Sequence, residues 1–307
     1  MTKFTILFIT KGRNDILNSL KSCQEIKKYY SNVKIIILDG NKNNFLNSKL
    51  KLLKSKIDIK IIKQKKTGFM SACLEAIEYL DHGYFTFMYD DDFLSPYFGK
   101  MVKYSCIKNK QIYGYGKIYP KEKNYIFKKP LIQSISKNKI NFLKEYFKFK
   151  SNKVLPNSPI TSIFSVKIIK KWKYILRNKT NDGITRYLMM KKNIGPDLLL
   201  YLLSLEMDSM NRSTLISSNV VAKFSSHKNS MSVTYGSGNL RFGYWVAKKI
   251  FIDCIPNKNL IGKDLFMLHF IKGLFTMVIF FIHPKKFKNF SLKNYFSVLH
   301  DLLIKIF

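Results

Sequence analysis

Acidic residues, arginine, cysteine and histidine are all scarce in this chain of 307 residues. Its four cysteines, Cys23, Cys73, Cys106 and Cys254, form no CxxC pair, which argues against a zinc ribbon or a disulfide scaffold. Cys23 and Cys73 fall in apolar helical stretches, where a free thiol packs as a small hydrophobe. The five histidines show no HxxxH or HExxH spacing, so a helix-borne metal pair has no ligands. GxxxxGK[ST], GxGxxG and GxSxG are all missing, which removes support for phosphate-loop kinases, Rossmann dehydrogenases and α/β-hydrolases. No internal repeat occurs. The start, MTKFTILFIT, has too short an apolar run for a secretory signal, and Lys11 and Arg13 follow at once. A cytoplasmic location is therefore expected.

What is present is apolar mass and positive charge. Hydrophobic residues make up 46% and aromatic residues 15%, enough for a sizeable core without a disulfide or metal staple. One large domain or two smaller ones fit this length. There are 54 basic residues against 19 acidic ones, a net charge of +35. An anionic partner (nucleic acid, membrane surface or phosphorylated substrate) is one reading. AT-rich coding is the other, because only Arg13, Arg177, Arg186, Arg212 and Arg241 are arginines. Base and phosphate readers favour the bidentate guanidinium, so the lysine excess argues against nucleic acid. The charge is concentrated in residues 101–181, with 20 basic and 2 acidic side chains, net +18.

The first hundred residues alternate between strand and helix patterns. FTILFIT (Phe4–Thr10) is an apolar β-rich run, followed by a polar turn in which Asp15 is placed to cap a helix over Ile16–Tyr29. VKIIIL (Val33–Leu38) is a second strand, ending in Asp39-Gly40, and Ile57–Ile62 is a third. Gly68–Leu80 has apolar residues at helical spacing, and YFTFMY (Tyr84–Tyr89) is a fourth strand that runs into Asp90-Asp91-Asp92. This alternation predicts an α/β fold with a mostly parallel sheet flanked by helices. Ligands of such folds collect beyond the carboxyl ends of the strands, where Asp39 and the triplet both fall. Adjacent carboxylates repel unless a cation neutralises them. Asp90 and Asp92, as alternate residues, splay to one side and suit Mg²⁺ or Mn²⁺, which take carboxylates together with substrate phosphates. A solvated acidic turn or a helix cap is the plainer alternative.

The ordered set TKGR, LDG and KTGFMSACLEAIEYLDHGYFTFMYDDDFLSP, over residues 4–100, resembles the nucleotide-binding half of family 2 glycosyltransferases of the GT-A fold. The resemblance implies a donor site of Thr10, Arg13, Asp39, Gly68, Asp90 and Asp91. Asp39 would contact the uracil or ribose, and a DxD pair would hold the metal against the diphosphate. That pair is Asp90 with Asp92, or Asp91 with Asp92. In the family's usual turn a Pro precedes the Thr; Ile9 stands there instead. The resemblance further implies inversion at the sugar carbon, a surface-polysaccharide setting, and a downstream His near the donor phosphates, for which His227 is the candidate. It also implies an acidic general base at a helix start, matched by Asp197 in Gly195-Pro196-Asp197-Leu198. A plainer reading of Asp197 is a carboxylate favoured by the helix dipole. Glu206 and Asp208, later on the same helix, are weaker candidates.

Elsewhere Tyr113–Pro120 and Asn124–Phe127 read as strands, 137–153 as a Lys-faced amphipathic helix, and Asn157–Phe164 as a turn and strand. Leu265–Ile282 is apolar but broken by His269, Lys272 and Gly273. An interfacial helix is expected there, peripheral on the cytoplasmic face, with the KKFK that follows meeting headgroups; a buried core helix and a true span are the alternatives. The expected organisation is a GT-A donor-binding and catalytic domain over 1–225 and a helical, basic C-terminal extension over 226–307. The expected function is metal-dependent transfer of a sugar from a nucleotide donor, a UDP-sugar first, to a surface-glycan or lipid-linked acceptor. A polyanion- or membrane-binding adaptor and a nucleotidyltransferase are the competing readings.

Overall fold

The computed structural model describes residues 2–12, 16–41, 58–119, 126–129, 131–135, 139–148, 155–156, 158–179, 183–209, 214–225, 231–255, 263–283, 296 and 300. The chain divides into two compact units. The first comprises Met1–Lys137, Pro156–Lys171 and Met207–Ser226, and the second Asn138–Leu155, Trp172–Glu206 and His227–Phe307.

The first unit is built on a five-stranded sheet. Its strands are β1 (Phe4–Thr10), β2 (Val33–Asp39), β3 (Asp58–Lys63), β4 (Tyr84–Tyr89) and β8 (Phe164–Ser165), in the order β3-β2-β1-β4-β8. The first three pairings are parallel, and β8 closes the edge antiparallel to β4. β1 is buried at every residue, as a strand covered on both faces requires. β3 alternates exposed and half-buried residues and carries Lys60 and Lys63, the charges that keep an open edge from pairing elsewhere. Helices α1 (Ile16–Gln24), α2 (Phe69–Ala76) and α3 (Phe98–Lys108) intervene. Phe4, Phe8, Ile16, Leu20, Ile35, Ile37, Met88, Phe98 and Met101 share one core cluster.

The expected helix over Ile16–Tyr29 ends as α-helix at Gln24 and tightens to a 3₁₀ turn over Glu25–Lys28. The tighter turn keeps both Ile26 and Tyr30 buried. Cys23 and Cys73 are free and buried, and burial pushes both thiols up, in line with a packing role.

A second sheet in this unit contains β5 (Phe93–Leu94), β6 (Ile112–Tyr119), β7 (Ile132–Ile135) and β9 (Thr214–Ser225), with β9 pairing all three others. The predicted strand Asn124–Phe127 is not seen over its described part. Residues 126–129 have no regular structure, and Ile126 is 86% exposed, so nothing buries its apolar surface. Asn124 and Tyr125 lie outside the described residues.

The second unit is helical. It contains α4 (Lys139–Glu145), most of α5 (Lys167–Asn178), α6 (Gly183–Arg186) with a π turn over Tyr187–Lys191, and the start of α7 (Pro196–Ser209). α8 (Met231–Cys254) and α9 (Lys263–Ile282) complete it. In α5, Ile168, Ile169, Trp172, Ile175 and Leu176 are buried while Lys170, Tyr174 and Arg177 are exposed, an apolar stripe at helical spacing. The Trp172 indole donates to the Pro196 carbonyl (2.9 Å) and ties α5 to the start of α7. α9 packs on α8, where Gly273 leaves room for Trp245: a Cβ there would come within 2.7 Å of the indole. Among the described residues no helix is long and apolar enough to cross a membrane.

Candidate active site

Strand register brings the first predicted residues together. Thr10 pairs with Asp39 across β1 and β2, and Ile9 pairs with Tyr89 across β1 and β4. Asp90, one residue past Tyr89, is therefore level with Thr10. Its Oδ2 accepts from the Thr10 hydroxyl (2.9 Å) and from the Lys11 backbone N–H (3.0 Å). The Gly12 N–H donates in turn to Thr10 Oγ1 (2.8 Å), so the turn after β1 is wound onto the Asp90 carboxylate. Asp39 is buried at the neighbouring strand end. Its Oδ1 accepts from the Asn41 N–H (2.9 Å), and its Oδ2 pairs with the Lys63 ammonium (2.8 Å) from the end of β3. Lys63 was not singled out in the sequence; parallel register, pairing Asp39 with Lys63, is what places it there.

The triplet itself is a turn between two sheets. The Asp92 N–H reaches the Tyr89 carbonyl (3.4 Å), and the chain then enters β5, which pairs with β9. Asp92 Oδ1 accepts from the Ser225 N–H (3.3 Å) at the end of β9. Asp90 and Asp92 are buried, and Asp91 is more exposed. Three backbone or hydroxyl donors thus meet two buried anions at one sheet rim, an arrangement that holds negative charge in place.

Gly68, also predicted at the donor site, precedes α2 with φ +106°, a conformation that a side chain would strain, although open space surrounds it. The Gln64 amide donates to its carbonyl (2.9 Å), and Phe69 packs its ring on Tyr89 beside the triplet. A groove of about 380 Å³ is lined by residues that include Lys21, Phe93, Pro96 and Lys223; none of Thr10, Asp39, Gly68 or the triplet lines it. Arg13 and His227 lie outside the described residues.

Among the described residues no three His, Cys, Asp or Glu side chains gather as a metal site. Two carboxylates fit a hard divalent ion that draws its remaining oxygens from a diphosphate and water. Asp90 and Asp92 are both buried carboxylates separated by one residue, and their oxygens are of the kind Mg²⁺ or Mn²⁺ prefers.

Asp197 belongs to the second unit. Pro196 opens α7 at the position where its missing N–H costs nothing. Gly195 has φ +104°, and a Cβ there would meet the Gly243 carbonyl at 2.8 Å. Glycine at both places lets α7 approach α8 closely, and this sets the Asp197 carboxylate beside Tyr244. The Tyr244 hydroxyl lies 3.5 Å from Oδ2, and the Leu198 N–H donates to Oδ1 (2.8 Å). Burial pushes the Asp197 carboxyl up to about 6, with the Leu198 and Tyr244 contacts acting in the opposite direction. Tyr244 is pushed upward as well, first by the Asp197 charge and then by burial. A base with a pKa near neutrality is the kind that proton transfer at pH 7 uses.

Of the two weaker candidates, Glu206 is buried in the second unit, and Asp208 sits in the first in a different setting. The Gln111 amide (2.7 Å) and the Tyr113 hydroxyl (3.0 Å) both donate to its carboxylate, and all three residues are buried. Gln111 in turn accepts from the Ser165 N–H (2.9 Å), so the network joins β6 and β8. Asp208→Ala removes the carboxylate to which two buried side chains donate. It is expected to cost about 2–4 kcal/mol. Chemical denaturation would measure this, with activity per folded molecule retained.

Residues 5–173 match glycosyl transferase family 2. No curated protein matches the chain. Among solved structures, the chain is similar to TarS 1–349 of S. aureus in complex with UDP-GlcNAc. The TM-score is 0.62 at 12% identity, covering 99% of this chain and 81% of that one. It is also similar to the mannosyltransferase PcManGT of Pyrobaculum calidifontis in complex with GDP-Man and Mn²⁺. Here the TM-score is 0.52 at 9% identity, over 100% of this chain and 81% of that one. At such identities the likeness speaks for the fold, a mixed α/β sheet of the GT-A kind. The family match spans more than half of the chain and decides between the adaptor, nucleotidyltransferase and glycosyltransferase readings. The chain belongs to glycosyl transferase family 2 and is a nucleotide-sugar-dependent glycosyltransferase.

Proposed function

We propose that the protein transfers a sugar from a nucleoside-diphosphate donor, a UDP-sugar first, to a hydroxyl of a surface-glycan or lipid-linked acceptor, with inversion at the anomeric carbon. The observation that supports this most is the alignment of Thr10, Asp39 and Asp90 at adjoining strand ends, one turn from Asp92. Beyond the strand ends is where α/β sheets hold nucleotides. TarS 1–349 was solved with UDP-GlcNAc and PcManGT with GDP-Man and Mn²⁺, and this chain shares their fold.

In this reading Asp39 binds the nucleoside, with Thr10, Arg13, Gly68, Asp91 and His227 completing the donor site. Asp90 and Asp92 hold Mg²⁺ or Mn²⁺. The bound ion supplies Lewis-acid neutralisation of charge on the departing nucleoside diphosphate. Asp90 has a second task, since its Oδ2 fixes the turn after β1 through Thr10 and Lys11. Asp197 accepts the proton of the acceptor hydroxyl as the oxygen attacks the sugar carbon. One displacement inverts that carbon. Donor binding and catalysis belong to residues 1–225 in this reading, and 226–307 form an extension.

The test is transfer or donor hydrolysis across a panel of UDP- and GDP-sugars with Mn²⁺, Mg²⁺ or EDTA. The expected result is turnover with one donor class, lost on chelation by about 10²-fold or more and restored by added metal. Turnover that is indifferent to EDTA removes the metal from the mechanism and leaves the family assignment standing.

A further inference from the structure

Exposed apolar surface on α9 is not scattered. Met267, Ile271, Phe275, Val278, Phe281 and Ile282 are between 39% and 64% exposed. They account for six of the 13 large hydrophobic residues exposed among the described residues, which marks α9 as the place where such surface concentrates. At helical spacing they fall within an arc of about 120°. The opposite face is buried at His269, Gly273, Thr276 and Phe280. It is fixed to α8, where the Trp245 indole donates to the His269 carbonyl (2.9 Å) and stacks on the His269 ring at 5.3 Å. The outward stripe is therefore presented by a helix already anchored along its other side.

The residues that follow are basic: 283–307 carry five lysines, Lys285, Lys286 and Lys288 among them, against the single carboxylate Asp301. An apolar stripe followed in the sequence by lysines, which lie outside the described residues, matches an anionic bilayer surface in both respects, with side chains for the acyl boundary and ammonium groups for the headgroups. A second copy matches only the apolar part. Each copy carries +35, and like charge opposes face-to-face packing. No described helix is long and apolar enough to cross a bilayer, so a helix engaged this way lies along the surface.

We propose that the Met267–Ile282 stripe of α9 docks the protein on an anionic lipid surface, with the lysines after it pairing with headgroups. This does not depend on which donor or metal the enzyme uses.

Flotation of the full chain with vesicles tests it. One set is phosphatidylcholine alone, and the other contains about one-third phosphatidylglycerol. The protein is expected to float with the anionic vesicles and to stay behind with the neutral ones. Ile271→Ser/Phe275→Ser/Val278→Ser is expected to weaken binding about tenfold or more, with melting unchanged because the three side chains face outward. Lys285→Gln/Lys286→Gln/Lys288→Gln is expected to weaken binding and flatten its salt dependence. Three results would each overturn the proposal: no binding to anionic vesicles at low salt, serine-variant binding equal to wild type, or light scattering in which wild type is a dimer and the serine variant a monomer.

Discussion

Asp92→Asn is expected to reduce sugar transfer by about 10³-fold while leaving the fold intact. The amide keeps the shape of the side chain and still offers an oxygen to the Ser225 N–H, the contact that ties the turn to β9. What it loses is the charge that would hold the proposed cation. Melting should therefore shift by no more than about 2 °C. Mn²⁺ affinity in the presence of donor, followed by calorimetry, should fall with activity. Asp90→Asn makes the useful contrast. Its Oδ2 accepts from both Thr10 and Lys11, so both charge-assisted bonds become weaker neutral ones. Activity and stability should fall together there, the latter by about 1–2 kcal/mol. An Asp92→Asn enzyme with full, EDTA-resistant activity would remove the metal role from the triplet.

The contrast depends on how differently two neighbouring carboxylates are held. Asp90 reads as part of the sheet: parallel register sets it level with Thr10. Asp92 reads as part of the crossing between two sheets. Nothing in the string DDD distinguishes them. The difference arises from β9, whose last residue meets Asp92 and which lies 133 positions later in the chain.

Much of the first sheet is legible in the sequence. Phe4–Thr10, Val33–Asp39 and Tyr84–Tyr89 are apolar runs that a parallel sheet buries on both sides, so composition alone marks them. Their order and the carboxylates at their ends followed directly. β9 was not foreseen. Its centre, Ser217-Ser218-Asn219, is polar, and its pairing with β6 shifts register between Tyr113 and Gly116. Irregularity of that kind erases the alternation that marks a strand. Lys63 and Tyr244 were missed for another reason. Each is an ordinary residue in the sequence and acquires a role only through a partner, Asp39 by strand register and Asp197 by the close approach at Gly195 and Gly243. The α9 segment lay in between. Its apolarity was plain, but the division into a buried and an exposed face needed the contact with Trp245.

Asp197→Asn should do two opposite things. If Asp197 receives the acceptor proton, the amide cannot, and transfer should drop by about 10²–10⁴-fold at pH 7.5. Stability should rise at the same pH. Burial holds the folded carboxyl at about 6, against an ordinary value of 3.8. A raised carboxyl binds its proton more tightly in the folded state. Its contribution to stability is full below about pH 3.8, declines as pH rises toward 6, and above that leaves the cost of a partly buried anion. The neutral amide carries no such cost, so the variant should be more stable by about 1–3 kcal/mol above pH 7 and should lose that advantage below pH 4. Wild-type kcat/KM should fall along an acid limb near pH 6. Tyr244→Phe removes the hydroxyl that favours the ionised form, and so should move that limb to higher pH while retaining the plateau. A plain helix-end carboxylate would show the stability change without the kinetic one. An active Asp197→Asn enzyme with an unmoved acid limb would assign the base elsewhere and leave Asp197 to the start of α7.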